Sequence, residues 1–520
     1  MAAGKPTHRA FTRGEMLASF LILAGVSAFF YLTLWTIDFG LMWGQTPLEL
    51  FVQPGAVDTL TNFGEITVGV LGISLTVVTI IVELASNRYT PRITELFLRD
   101  PVNASVLSFF VVSAVFIVWV DMSLYGARYP QYMAGAAVLL MSATLLALLP
   151  YFAYVFDFLL PNRVVQRIER KSAEAIQRMA RVGTKAVRGA RLEVKNAIEQ
   201  LGDVALNSVD KKDKAIALAS LAALAELAEV ELLAKDRLPT EWFDTRALTA
   251  EDQDFVALHP KMVRALAERR TWMLMKILRQ FQSVFGEAVN QIRDVNHVIA
   301  IHTRRLATVA VDLGDQHAVD QCMAFLNTYL RNAINCRDVR TAYNLYNEYR
   351  ALGEHFLEGG HTEAVVTLAE RCKFYGQLGF KLKMPFVLET TAYDLCTLLE
   401  RAHEMNAESH DALLGVFLEL DRAAGSATQE ASLSGVRKAQ IKLATYYLAN
   451  DAEDLARQIH DDMRNEDRDR LRAICAELEG TVNPDFWEVS DRGINFDYLP
   501  PDRRRRLKDF FAWFEGWQSC

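Results

Sequence analysis

Six residues on one predicted helix have the side chains needed to line a water-filled path through a membrane. They recur at intervals of three or four positions, so they share one face of an α-helix. We call these residues the polar stripe: Glu65, Gly69, Gly72, Thr76, Thr79 and Glu83. Thr hydroxyls and glycines, which let water reach the backbone, would line the path, and the acids would attract cations at its two mouths.

The polar stripe has a second interpretation, which is tight helix packing. Small residues let two membrane helices approach closely, as they do in most membrane bundles. The two acids would then lie at the membrane interfaces, where a charge costs little. Both interpretations require a partner helix, from the same chain or from a copy, and both favour a homo-oligomer.

Other residues that could do chemistry are few. The sequence lacks a phosphate-binding loop, a dinucleotide fingerprint, a zinc-protease motif and a nucleophile elbow. His297 and His302 are five positions apart and do not meet on a helix. His355 and His361 flank a Gly-Gly break and are typical of a polar helix end rather than a metal site. We therefore predict no enzyme, no metal and no cofactor.

Four apolar runs precede residue 161, and they are long enough to cross about 30 Å of hydrocarbon. They cover residues 16–43, 66–84, 104–124 and 132–160. Basic residues precede the first run, separate the second from the third and follow the fourth, whereas residues 38–65 hold acids and no Lys or Arg. This asymmetry predicts a multi-pass membrane protein with both termini in the cytoplasm.

Two charged segments are expected on the cytoplasmic side. Residues 87–100 form an elbow through which the soluble part could act on the second run, with key positions Arg88, Pro91, Arg92, Arg99 and Asp100. After the fourth run, basic residues face the anionic lipid of the inner leaflet: Arg163, Arg167, Arg170 and Lys171. Residues 163–195 carry ten Lys or Arg against three Glu. Attraction to anionic lipid is one interpretation, and selection of anions in a cytosolic vestibule is the other.

The remaining chain predicts helices almost throughout. Residues 1–161 form the transmembrane domain, 162–260 basic and Ala/Leu-rich juxtamembrane helices, 261–480 helical hairpins, and 481–520 an aromatic and Arg-rich tail. The hairpins include single predicted helices over residues 261–286 and 452–478. The fold class is therefore all-α, a four-helix transmembrane domain followed by a large cytosolic domain resembling an α-solenoid.

The charge of the tail and its domain bears on nucleic-acid binding, and the cysteines bear on the redox environment. Four consecutive arginines, Arg503 to Arg506, precede an aromatic helix that we expect to dock on its own domain while the arginines reach the acidic residues 461–469. The surrounding domain is acidic and the chain has a net charge of −8, which argues against nucleic acid. All six cysteines lie after residue 321 without a C-x-x-C pair, which predicts reduced cytosolic thiols.

Residues 83–103 read ELASNRYTPRITELFLRDPVN and resemble the segment after a span in the domain of unknown function 2254 family of predicted bacterial membrane proteins. The matching positions are Leu84, Ala85, Ser86, Tyr89, Pro91, Arg92, Leu98, Arg99 and Asp100. The resemblance covers the N-terminal third, including its four-span layout. It implies the topology and a location in the bacterial inner (plasma) membrane, but no function, because the family has no settled activity.

Two functions follow from these features. The first is a homo-oligomeric, channel-like membrane protein in which the second run lines a pore and the cytosolic domain regulates it. The alternative is a membrane-anchored helical scaffold that binds cytosolic proteins on its solenoid-like surface. Expected partners are thus membrane lipids, further copies of the chain and a cytosolic protein.

Overall fold

The computed structural model describes residues 13–38, 56–88, 94, 97–98, 100–123, 131–182, 187–245, 252–289, 291–423 and 433–517. Within these residues the regular structure is helical and no strand occurs, which confirms the all-α class. The chain divides into two compact units, Met1–Gln166 and Arg167–Cys520.

The long helices described in the first unit are α1 (Arg13–Thr36), α2 (Ala56–Arg88), α3 (Pro101–Ser123) and α4 (Gln131–Leu159). Among the described residues, three segments are long and apolar enough to cross a membrane, namely Asn62–Ser86, Pro101–Ser123 and Tyr132–Leu159. In α1 the apolar stretch found among the described residues is shorter, Gly25–Thr36. Three spans therefore agree with the sequence, and the first span stays a prediction.

Helices α3 and α4 form the centre of the first unit, because both contact α1 and α2 as well as each other. A buried apolar cluster joins them through Phe116, Ile117, Val120, Met133, Ala134 and Ala137. The carboxylate of Asp38 accepts hydrogen bonds from the backbone N–H groups of Tyr132 and Met133, at 3.0 and 2.9 Å. These are free donors of the first turn of α4, so the residue that follows α1 caps α4.

The second unit continues the helical chain. Its helices are α5 (Pro161–Val182, which the unit boundary crosses), α6 (Val187–Asp210), α7 (Lys214–Ala234), α8 (Pro260–Glu268), α9 (Trp272–Ala288), α10 (Arg293–Asp312), α11 (Gln316–Asn335), α12 (Val339–Glu358), α13 (Thr362–Lys381), α14 (Pro385–Glu404), α15 (His410–Leu418), α16 (Ser434–Ala449), α17 (Glu453–Met463), α18 (Arg468–Gly480) and α19 (Pro501–Phe511). Short polar breaks separate most of them.

Two of the predicted single helices are each a pair of helices. Residues 261–286 divide into α8 and α9 at Arg270, whose φ of 56° is left-handed and ends the first helix. Residues 452–478 divide into α17 and α18, where the Asp467 side chain accepts a hydrogen bond from the backbone N–H of Arg470 and caps the second helix.

The helices of the second unit pack in two rows. The first row is α7, α10, α12, α14 and α16, and the second row is α6, α9, α11, α13 and α15. Each helix contacts its neighbours in its row, and each helix except α16 also contacts a helix of the other row. Paired helices stacked in this way bury a continuous apolar layer between the rows. The α-solenoid-like shape itself stays a prediction.

The aromatic helix α19 docks on the second unit with Phe510 and Phe511 buried, and it contacts α16 and α18. Its arginines do not reach residues 461–469 in the described structure, so that expectation is wrong. Arg503 instead binds Glu400 of α14 at 2.8 Å, and Arg504 donates to the carbonyls of Thr481 and Leu499. Because α19 packs on α16, Arg503 comes close to α14. The sequence did not indicate this proximity.

The cysteines also differ in part from expectation. Cys322, Cys372 and Cys396 are buried free thiols, and Cys336 is an exposed one. Cys475 is disulfide-bonded, so the prediction that every cysteine is reduced is wrong at this position.

Glu231 on α7 gives a pH-dependent prediction. Its side chain is 1% exposed, and burial raises the pKa of its carboxyl from 4.5 to about 7 despite the nearby Lys235. The folded state therefore binds a proton more tightly than the unfolded state, and stability falls as pH rises from 4.5 through 7. We expect Glu231→Gln to raise the free energy of unfolding by about 3 kcal/mol at pH 8 and to change it little below pH 5.

Thermal unfolding of the purified protein across this pH range measures the effect. Glu226→Gln on the same helix is the control, because Glu226 is exposed. Equal changes for the two variants at pH 8 would show that burial of Glu231 does not govern its ionisation.

Candidate functional site

The polar stripe lies on the exposed side of α2. Each of its six residues is exposed in the chain. The buried residues of the helix lie on the other side and include Thr67, Ser74, Val78 and Val82. That buried side faces α3 and α4, which are the helices that α2 contacts. The stripe therefore points away from the rest of the first unit.

Space is open beside the stripe. A Cβ atom placed on Gly69 or on Gly72 would meet no heavy atom within 4 Å. The hydroxyl of Thr76 donates to the carbonyl of Gly72 at 2.9 Å, and that of Thr79 to the carbonyl of Leu75 at 2.7 Å. The hydroxyl oxygens retain lone pairs that can accept from water or contact a cation. Among the described residues of the first unit, no helix covers the stripe.

The elbow is described only in part. Arg88 ends α2, and its side chain lies outside the described residues, as do Pro91, Arg92 and Arg99. Asp100 is described and precedes α3, where its carboxylate accepts from the backbone N–H groups of Val102 and Asn103, each at 3.0 Å. Asp100 therefore acts as the N-cap of α3.

A polar cluster around the start of α3 was not found from the sequence. Asn103 is 1% exposed; its amide donates to the carbonyl of Phe97 at 3.1 Å and accepts from the hydroxyl of Tyr151 at 2.7 Å. The hydroxyl of Tyr154 donates to Asp100. The cluster ties the start of α3 to the second half of α4. Asp-Pro at residues 100–101 is a helix-start signal that pointed to the cap but not to its tyrosine partners.

The predicted lipid-facing basic residues lie on α5. Arg163, Arg170 and Lys171 are exposed, and Arg167 is partly buried. Arg163 lies 3.5 Å from Asp157, and Lys171 lies 3.4 Å from Glu193 of α6. Exposed pairs of this kind contribute little stability, so these cations remain accessible to anionic lipid headgroups.

The histidines singled out from the sequence take part in packing and ion pairs. His302 is largely buried, and burial lowers its pKa to about 4. Nε2 of His355 lies 2.9 Å from Asp312, and the ring of His361 packs edge-on against Phe356. Among the described residues, no group of three His, Cys, Asp or Glu side chains is arranged to hold a metal ion.

A buried lysine joins α9 to α6 and to the segment before α8. Lys276 is fully buried, and its Nζ donates to Asp252 at 2.7 Å, Asp254 at 2.6 Å and Glu199 at 3.1 Å. Burial alone would lower the pKa of Lys276, but the two aspartates outweigh it and raise the pKa. The sequence predicted only a connecting loop over residues 241–260. In the structure, Asp252 and Asp254 anchor this segment because they compensate the buried charge of Lys276.

A second charged site involves residues 481–500, which connect α18 to α19 without a helix and which we call the strap. The Asp491 carboxylate accepts two hydrogen bonds from the guanidinium of Arg340 on α12, one from Nε at 2.7 Å and one from Nη2 at 2.8 Å. This guanidinium lowers the pKa of the Asp491 carboxyl to about 2. Arg492 is almost fully buried and binds Asp394 of α14 through two hydrogen bonds of 2.8 and 3.1 Å. Bidentate pairs of this type fix position as well as charge.

The strap continues across the first row of helices. The ring of Phe496 stacks on Tyr393 of α14 with centroids 4.4 Å apart. Asp497 receives the hydroxyl of Tyr393 at 3.0 Å and the ammonium of Lys438 of α16 at 2.8 Å. The strap thus contacts α12, α14 and α16 in turn. Its alternation of charged and aromatic residues was visible in the sequence, but its partners lie on three separate helices.

Comparison with known proteins finds a similarity in the first part of the chain. Residues 15–232 match the model of the family described as predicted membrane protein, DUF2254. The match extends beyond the N-terminal third that the sequence resemblance covered, and it ends inside α7. Helices α8 to α19 lie outside it. No curated protein and no solved structure matches the chain.

Arg492 allows a test of the strap. We expect Arg492→Met to leave the buried Asp394 without its bidentate partner, and breaking a buried pair in this way costs about 3 kcal/mol or more. The strap should then detach, and chymotrypsin should cleave after Phe496 and Tyr498 much faster than in the unaltered protein. Mass spectrometry of timed digests measures this.

Arg506→Met is the matched control, because Arg506 is exposed on α19 and binds only Asp509 of the same helix in the described structure. Cleavage at equal rates in both variants would show that the Arg492 pair does not hold the strap.

Proposed function

With the match of residues 15–232 to a family of predicted membrane proteins as the premise, we propose that this chain forms a homo-oligomeric, channel-like protein. The second helix of each copy lines an aqueous path, and the second unit regulates it. The proposed location is the bacterial inner membrane, crossed four times with both termini in the cytoplasm, as the distribution of basic residues favours.

The observation that carries the proposal is the exposure of the whole polar stripe on α2. A lipid-facing helix surface is normally apolar, and intramembrane acids usually face protein or water. The flanks of the exposed side carry apolar residues such as Val68, Ile73 and Leu75. The polar residues between them would be shielded from lipid if copies of α2 surround a common axis.

The length of the stripe fits a membrane. Glu65 and Glu83 are 18 positions apart, so on a helix they are separated by about 27 Å. This distance is close to the hydrocarbon thickness of about 30 Å. One carboxylate would lie at each mouth, with two glycines and two threonines between them. Such a path would favour cations.

Thr76→Leu tests the path. We expect it to reduce cation flux into liposomes or single-channel current at least about tenfold, because a large apolar side chain would narrow and dewet the path. Ile73→Leu is the control, since Ile73 is exposed on the flank of the stripe. This substitution changes neither the size nor the polarity of the side chain. Glu83→Gln should lower cation selectivity.

Two results would reject the path. If the purified oligomer conducts under no condition, or if Thr76→Leu and Ile73→Leu conduct equally, the stripe is a dry contact between copies. Disulfide cross-linking of Gly72→Cys between copies would still succeed in that case, so the experiment separates packing from conduction.

A second candidate function is that of a membrane-anchored scaffold for cytosolic proteins. The strap supports it, because the first row of helices already holds an extended segment through α12, α14 and α16. Rows of paired helices commonly offer such surfaces to partners. Isolation of a stoichiometric soluble partner from native membranes would favour this function, and recovery of the homo-oligomer alone would oppose it.

A further inference from the structure

A cavity of about 230 Å³ lies between the strap and helices α12, α14 and α16. Its helical wall includes Arg350, Tyr393 and Lys442, and the strap contributes Phe496 and Tyr498. Pockets for drug-sized ligands measure about 300–1,000 Å³, so this cavity suits a smaller molecule. It lies outside the part of the chain that matches the family.

The charges around the cavity do not balance. Three cations line it, Arg350, Lys442 and Arg503, against two carboxylates, Asp394 and Glu400. Arg503 is paired with Glu400 at 2.8 Å. Arg350 is paired with Glu354 of its own helix and lies 3.6 Å from Asp394, whose bidentate partner is Arg492. Cys396 adds no negative charge, because burial raises the pKa of its thiol far above the ordinary value.

Lys442 is the cation left without a carboxylate. Its Nζ donates to the backbone carbonyl of Phe496 and lies 5.1 Å from the centroid of the Tyr393 ring. Among the described residues no carboxylate oxygen lies within 4.0 Å of it. An ammonium has three donors, so the carbonyl leaves donors that a ligand can use. Burial lowers the pKa of Lys442, although the more distant carboxylates of Glu400 and Asp497 oppose this shift.

We propose that this cavity binds a small organic anion, whose carboxylate or phosphate group pairs with Lys442 and whose apolar part lies against the aromatic wall. One negative charge would balance the lining. Since Phe496 and Tyr498 belong to the strap, the bound anion also holds the strap on the first row of helices. The site is independent of whether the membrane unit conducts.

The test uses the full-length protein in detergent and three probes of similar size. Benzoate and phenyl phosphate carry the two candidate anionic groups, and benzylamine is the cationic control. Calorimetric titration should show millimolar or tighter binding of at least one anion and none of benzylamine. The preferred anion distinguishes a carboxylate from a phosphate ligand. The same anion should slow chymotryptic cleavage after Phe496 and Tyr498.

Lys442→Met should weaken anion binding at least about tenfold, since a hydrogen bond to a charged group is lost. Lys508→Met is the control, because Lys508 is exposed on α19 and does not line the cavity. Thr397→Met fills the cavity without changing its charge and should abolish anion binding. It provides the test if Lys442→Met does not fold. Absence of anion binding, equal binding of benzylamine, or unchanged binding in both cavity variants would overturn the proposal.

Discussion

The contact between α3 and α4 is the interaction on which the first unit depends. Both helices touch α1 and α2, whereas α1 and α2 are placed by them. Two polar ties flank this contact: Asp38, which lies just after α1, caps the start of α4, and Asn103 of α3 joins Tyr151 in the second half of α4. In an apolar solvent such hydrogen bonds specify position, because unpaired groups are costly there. The apolar cluster between them then fixes which side of α2 is buried.

This arrangement explains why α2 has one packed side and one free side. Thr67 and Ser74 satisfy their hydroxyls on their own backbone at 2.8 and 2.6 Å and can therefore face α3 and α4 without partners. Polar residues thus occur on both sides of α2. Only the free side combines two glycines with two terminal acids.

The sequence predicted the helices well, because their signals are local. Apolar length marked the spans, and in the structure side chains next to the helices, such as Asp315 and Asp338, cap the helix starts. The polar stripe could be recognised from its period alone, but not its exposure, since that depends on which side α3 and α4 cover. The breaks at Arg270 and Asp467 were missed because neither has Gly or Pro. The partners of Arg492, Lys276 and Arg503 lie far away in sequence, and no periodic pattern encodes such pairs.

The strap has a consequence for the order of synthesis. Its partners on α12, α14 and α16 lie between 54 and 151 positions earlier in the chain. Contacts of such separation form after the helices between them have packed. On the ribosome, domains fold from the N-terminus, and the strap leaves the exit tunnel after the three helices that it contacts. The surface formed by α12, α14 and α16 is therefore bare until the strap has emerged, so every truncated chain that ends before residue 481 carries that surface uncovered.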